Sequence, residues 1–357
     1  VYNGTLPGSI IIIMPNGERE SHDLRGQFRK PSCIFKIEMR GVSYIVIHTD
    51  DVDGVLEDPR DAKDICDAFD NEFGIKMTDV QFMLGNVRNM TEKNGVTKLS
   101  ISQPSYLEAM WDKFKVHRGN AKAPKEPFPK DFDLSRIDKH SRKELLIDPV
   151  ESRQVLDKGF RELVGGLLWP ARNAYPAASF ACSVLSRYMQ TPTEEAFDAG
   201  IHTLHYLVEH RHEGIIFSSD GNLEPICFYD SAHMQNLCNH KSSYKFVITW
   251  MGGPIVYVSK QHTLVGLSSA EDEYMTLTHA FKWVMWLRNL LKEMGYGYLV
   301  TNPTLMLGDN AQADRWARGA MITNGDRHIE RDFHKIKEAV ERGHIEPRKI
   351  NLSTNFI

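Results

Sequence analysis

Three carboxylates set at the ends of apolar elements constrain what this chain can fold into more than any other feature. Glu224 to Asp230 (EPICFYD) is an apolar run closing on an acid. Tyr244 to Trp250 (YKFVITW) and Pro254 to Lys260 (PIVYVSK) are two further β-rich runs, separated by the turn residues Gly252, Gly253 and Pro254. Together they predict an antiparallel three-strand unit with Asp230 on its first strand. After a cap at Ser268 and Ser269, apolar residues recur at spacings of three and four: Tyr274, Leu277, Phe281, Val284, Leu287 and Leu291. That spacing predicts a helix from about Glu271 to Met294, with Glu271 in its first turn. Thr304 to Leu307 (TLML) then reads as a short buried strand, closed by Gly308, Asp309 and Asn310. Asp230, Glu271 and Asp309, 41 and 38 residues apart, therefore arrive on strand, helix and strand. Asp272 and Glu273 read as solvated charges on the same helix.

Carboxylates converging from several elements are the hard oxygen ligands that divalent cations take, and a pair of Mg²⁺ ions about 4 Å apart clamps the attacking and leaving oxygens of a phosphodiester. The order of three strands, helix and strand, with an acid on each of three elements, resembles the ribonuclease H fold. Further stretches sharpen the likeness: Tyr229-Asp230-Ser231-Ala232, Lys241-Ser242-Ser243-Tyr244, Gly252-Gly253-Pro254-Ile255, Leu267-Ser268-Ser269-Ala270-Glu271-Asp272-Glu273-Tyr274, Trp286-Leu287-Arg288, Asp309-Asn310 and Arg327-His328-Ile329-Glu330. In this order they are similar to the ribonuclease H end of a copia-type LTR retrotransposon polyprotein. The resemblance implies that Asp230, Glu271 and Asp309 hold Mg²⁺ (or Mn²⁺) and cut the RNA strand of an RNA/DNA hybrid. Taken singly, each acid reads equally as a solvated surface charge. His334, in a predicted helix running to about Arg342 (DFHKIKEAVER), is a further candidate for handling a proton or a product.

A second resemblance lies near the N-terminus. Ile10 to Met14 reads as a buried strand, and Cys33 to Met39 and Val42 to Thr49 as a hairpin ending on Asp50-Asp51. Two adjacent acids at such a turn resemble the palm motif of reverse transcriptases. Ala62 to Gly74 is an amphipathic helix with Ile65, Phe69 and Phe73 inward. Gln81 to Gly85, Leu99 to Gln103 and Tyr106 to Phe114 follow in the order of a copia-type palm and thumb. Three departures from the resemblance stand out: His48-Thr49 replaces an aromatic and apolar pair, the family's Leu-Tyr-Gly-Leu-Lys-Gln stretch has no counterpart, and the first metal-binding Asp, which in the family precedes a stretch similar to Asn3-Gly4 by a few residues, is not in this sequence. Polymerisation needs metal ligands from two strands, so the expectation is that this chain makes no DNA and that Asp50 and Asp51 are vestigial. At the other end, Ser353 to Ile357 stops where the resemblance would place a fourth carboxylate, so weakened metal affinity is expected.

Lys115 to Arg153 is rich in Pro, Lys and Asp and reads as an extended linker. Phe160 to Asn173 and Ala177 to Met189 read as helices broken around Pro170 and Pro176, and a third runs from Glu194 to His210. These resemble the helical tether of the copia group. His202, His205, His210 and His212 read as solvated or packing residues, and Cys238-Asn239-His240 as a loop. The organisation expected is α/β (α+β): a truncated palm and thumb over 1–115, a linker over 116–158, a tether over 159–214, and a ribonuclease H-like mixed sheet with flanking helices over 215–357.

Composition bounds the rest. With 357 residues, 41% apolar and 25% charged, the chain has a globular composition sufficient for two or three domains. Its longest apolar run, Ile10 to Met14, is far short of a membrane span. Five scattered cysteines without a CxxC pair suit a reduced intracellular compartment, cytoplasm or nucleus. A net charge of −4 argues against nucleic-acid binding through bulk charge, so any grip on a hybrid is local. Two classes of function remain: a ribonuclease H-type enzyme, or a domesticated, inactive structural subunit with protein partners in a larger assembly.

Overall fold

The computed structural model of the chain describes residues 11–13, 19–21, 32–38, 40, 42–48, 51–56, 58–73, 82–83, 85–117, 122–133, 148–232, 241–266, 268–317 and 330–350. Two compact units are present, Val1–Arg88 with Trp286–Tyr298, and Asn89–Met285 with Leu299–Ile357.

In the first unit, β1 (Ile11–Ile13), β2 (Arg19–Ser21), β3 (Ser32–Glu38), β4 (Val42–His48) and β5 (Asp51–Leu56) form an antiparallel sheet in the order β2-β1-β3-β4-β5. The β3–β4 hairpin pairs Ile34 with Val46 and Phe35 with Ile45, as the apolar runs predict. β5 returns along β4 from Asp51, opposite His48. Asp50 and the side chain of Asp51 lie outside the described residues. Helix α1 (Pro59–Phe73) buries Ile65, while the side chains of Phe69 and Phe73 also lie outside the described residues. Its buried Asp61 accepts from the backbone N–H and guanidinium of Arg40 at 3.2 and 2.7 Å, tying the helix to the turn between β3 and β4.

After β6 (Phe82–Met83), β7 (Asn86–Lys93) and β8 (Val96–Ser102) join at Asn94 and Gly95. Both turn residues have positive φ, 54° and 76°, the two-residue geometry that follows the twist of the strands. Helices α2 (Pro104–Phe114), α3 (Pro149–Asp157), α4 (Phe160–Asn173), α5 (Ser179–Leu185) and α6 (Glu194–Glu209) share one core, centred on Leu107, Val155, Leu163, Leu167, Leu204 and Leu207. β9 (Ile215–Ser218) then pairs with β8, completing a sheet in the order β6-β7-β8-β9.

Two local expectations are corrected here. Pro170 does not break α4. A proline has no N–H to bond the carbonyl four residues earlier, and that carbonyl, of Gly166, instead accepts the Tyr106 hydroxyl at 3.0 Å. The segment read as an extended linker is partly folded into the core. Phe132 is buried edge-on to Tyr188, and Asp148 caps α3 by accepting from Val150 N–H at 2.8 Å while Val155 inserts among the helices. The histidines pack, as expected: His205 is buried and stacked 5.0 Å from Trp111, and His210 stacks 4.1 Å from Tyr206.

The remaining elements are β10 (Ile226–Ala232), β11 (Ser243–Trp250), β12 (Gly253–Gln261), α7 (Ser269–Glu293), β13 (Thr304–Gly308), α8 (Ala311–Ala317), α9 (Glu330–Glu341) and β14 (Ile345–Lys349). The sheet order is β12-β11-β10-β13-β14. The first three strands are antiparallel, and β10–β13 and β13–β14 are parallel. Parallel neighbours need crossovers, which the helices supply. This is the mixed sheet with flanking helices that the ribonuclease H resemblance implies. Alternation drives it: Cys227, Tyr229, Tyr244, Phe246 and Ile248 point into the core while Asp230 and Lys245 stay on the partly open face. No helix among the described residues is long and apolar enough to cross a membrane, and Cys66, Cys182 and Cys227 are free thiols.

Candidate metal centre

Asp230 stands on β10 two residues before its end, and Asp309 follows directly on β13, the parallel neighbour of β10. The third acid comes from α7. Ser268 starts that helix by accepting Glu271 N–H on its hydroxyl at 3.2 Å, which gives Glu271 the third helical position of an N-terminal cap. Two residues on, Glu273 heads the buried stripe of Leu277, Ala280, Val284, Leu287 and Leu291, each three or four residues apart. Ligand oxygens of Asp230, Glu273 and Asp309 all lie within 4.8 Å of one another.

The helix carboxylate that joins Asp230 and Asp309 is thus Glu273, where sequence reasoning placed Glu271. Two residues apart on a helix of 3.6 residues per turn, Glu271 and Glu273 face nearly opposite sides of α7. Nor are Asp272 and Glu273 solvated: they are 0% and 2% exposed. Asp272 Oδ2 accepts the buried Ser242 hydroxyl at 2.5 Å. His334 is exposed on α9 and is not one of the clustered residues.

Electrostatics around the cluster are those of crowded like charges. Glu273 Oε2 accepts both the backbone N–H and the hydroxyl of Ser231, at 3.0 and 2.9 Å. Its Oε1 is buried and has no hydrogen-bond partner among the described residues. Burial, then Asp309 and Asp230, push the Glu273 carboxyl from 4.5 up to about 8, against the pull of the Ser231 bonds. Asp309 is also raised, by burial and then by Asp230, with Lys349 and Lys245 acting the other way. Lys245 Nζ lies 3.2 Å from Asp230 Oδ2. Below the cluster, Tyr229 is fully buried, and a Cβ on Gly308 would meet its ring at 2.4 Å, so the backbone leading into Asp309 requires glycine.

These residues fit a divalent cation. The donors are all carboxylate oxygens, which Mg²⁺ and Mn²⁺ prefer. A buried oxygen without a hydrogen bond is costly unless something else satisfies it, and a cation would also offset the burial and the neighbouring charges that raise Glu273 and Asp309.

Known proteins show similar sequences over most of the chain. A retrovirus-related Pol polyprotein from transposon TNT 1-94 of Nicotiana tabacum is 28% identical over 261 residues, 72% of this chain and 18% of that protein. The Pol polyprotein from transposon RE1 of Arabidopsis thaliana is 26% identical over 318 residues, 88% of this chain and 20% of that protein. The chain is homologous to copia-type retrotransposon Pol polyproteins. It spans about a fifth of the length of these curated relatives. No family model matches it. Among solved structures, LC11-RNase H1 in complex with an RNA/DNA hybrid aligns to 37% of this chain and 89% of its own, at 17% identity and a TM-score of 0.28. Within this Pol-related chain, Glu273, Ser231 and Lys245 are the site residues that sequence reasoning missed. For Glu273 a signal existed, since it continues the apolar stripe of its helix.

Proposed function

We propose that the second unit of this retrotransposon-related chain is a metal-dependent nuclease that hydrolyses the RNA strand of an RNA/DNA hybrid, with Asp230, Glu273 and Asp309 holding Mg²⁺ or Mn²⁺. The observation that carries the reading is the convergence of three carboxylates from strand, helix and strand end, one of them with a buried oxygen that has no hydrogen bond among the described residues. Bound there, divalent ions supply Lewis-acid activation of water and charge neutralisation on the phosphodiester. Ser231 holds Glu273 by one oxygen and leaves the other for a ligand. Asp230 lies on β10 and Asp309 directly after its parallel neighbour β13, so the sheet limits their separation. In this reading residues 1–115 are palm and thumb remnants, 116–158 a connector, 159–214 a tether and 215–357 the nuclease, and Asp50 and Asp51 support no DNA synthesis.

The test is cleavage of the labelled RNA strand of a hybrid by the full chain and by Glu273→Gln, in Mg²⁺ and in Mn²⁺. Metal-dependent product that disappears in the variant supports the reading. Equal product from both proteins, or none from either in both metals, overturns it. The second outcome would leave a structural subunit as the alternative.

A further inference from the structure

Lys245 carries a positive charge into contact with one of the three clustered carboxylates. It lies directly opposite Asp230 in the register of β10 and β11, and side chains of such a cross-strand pair share one face of the sheet. Its ammonium nitrogen is 3.2 Å from Asp230 Oδ2, with the lysine side chain 41% exposed and the aspartate 23%. The reach of that charge extends past Asp230. Asp309, raised by burial and by Asp230, is held down in part by Lys349 and Lys245. Three carboxylates crowd the site, and the Lys245 ammonium rests against one of them. A flexible four-carbon stem ending in mobile donors, with its head partly in solvent, is free to swing away when a stronger cation arrives.

We propose that Lys245 is a built-in counter-cation of this site, which a divalent ion must displace from Asp230 in order to bind. The inference rests on the metal reading above and adds to it a residue that sets how much metal the site requires. In the metal-free protein Lys245 partly neutralises the acids and stabilises the fold. In the loaded protein it repels the ions. Its removal therefore acts with opposite sign in the two states, which a purely structural lysine does not do.

The experiment titrates Mn²⁺ into the full chain, following free Mn²⁺ by its electron paramagnetic resonance signal, for the wild type, Lys245→Gln, Lys245→Met, Lys245→Arg and Lys260→Gln. Lys260 is an exposed lysine on β12 whose position alternates to the other face of the sheet from Ser259, the β12 partner of Lys245. The pair is partly exposed, and repulsion of a divalent ion adds to the effect of its loss, so the neutral variants should bind Mn²⁺ about five to ten times more tightly than the wild type. Lys245→Arg, which keeps the charge, and Lys260→Gln should stay within about twofold of the wild type. Thermal midpoints supply the second readout: Lys245→Gln should melt below the wild type in chelator and no lower than it in saturating Mn²⁺. Unchanged or weaker binding by both neutral variants, with normal binding by the wild type, overturns the role of Lys245 and leaves the metal site standing. No Mn²⁺ binding by any of the proteins overturns the metal reading itself and this inference with it.

Discussion

Replacing Glu273 by Gln should inactivate the protein and, without metal, stabilise it above neutral pH. The carboxyl of Glu273 goes from 4.5 in an unfolded chain to about 8 in the fold, chiefly through burial and then through Asp309 and Asp230. A group whose proton is held more tightly in the fold contributes stability that is complete below about pH 4.5 and is lost as pH rises to about 8. At about 1.4 kcal/mol per tenfold in proton affinity, the loss is on the order of a few kcal/mol. Glutamine has no proton to lose. Its amide oxygen still accepts from Ser231, and its NH₂ can donate toward Asp230 and Asp309. In chelator, urea unfolding should therefore give nearly equal stability for wild type and variant at pH 5. At pH 8 the variant should be more stable by a few kcal/mol. Tryptophan fluorescence is a suitable probe, since Trp316 is buried edge-on to Tyr274, the neighbour of Glu273 on α7. Mg²⁺ at a hundredfold excess over its dissociation constant should return about 2.7 kcal/mol to the wild type and little to the variant. Parallel loss of stability in both proteins between pH 5 and 8 would refute the argument, because the titrating group would then lie elsewhere.

Four other substitutions test the supports of the site and of the core. Ser231→Ala removes one of the two bonds to Glu273 Oε2, so its carboxyl should ionise less readily; the pH profile of hybrid cleavage should move to higher pH and Mn²⁺ binding should weaken. Gly308→Ala drives a methyl into the Tyr229 ring and should cost about 1–3 kcal/mol by urea unfolding, with loss of metal affinity as Asp309 shifts. Tyr106→Phe orphans the Gly166 carbonyl and should cost about 1–3 kcal/mol. Adding Pro170→Ala restores an N–H for that carbonyl, so a double-mutant cycle should show the two changes compensating, and strict additivity would refute the compensation.

Much of the architecture was legible in the sequence because it rests on periodicity. The alternation in 244–250 and the three-and-four spacing in 277–291 each specify one buried face, and the observed strands and helix follow them. Asp230 and Asp309 could be placed because each closes an apolar run. The helix acid is harder to place, because the Ser268 cap marks Glu271 as the acid of the first turn while Glu273 heads the buried stripe directly before the apolar Tyr274. Burial of an acid breaks the usual pattern of charged residues facing solvent, and such breaks occur where the site demands them. The continuity of α4 through Pro170 could not be read locally, since the hydroxyl that makes it tolerable comes from Tyr106, 60 residues before Gly166 in the chain. Likewise, the opposition of Lys245 to Asp230 depends on a strand register that no local pattern states.

The central claim is that Asp230, Glu273 and Asp309 together bind divalent cations. Crystals soaked in Mn²⁺ test it most directly. Anomalous density should appear between the three side chains, in contact with a carboxylate oxygen of each, and the Lys245 ammonium should have moved away from Asp230. Density elsewhere, or an empty cluster with Lys245 still on Asp230 at saturating Mn²⁺, would contradict it.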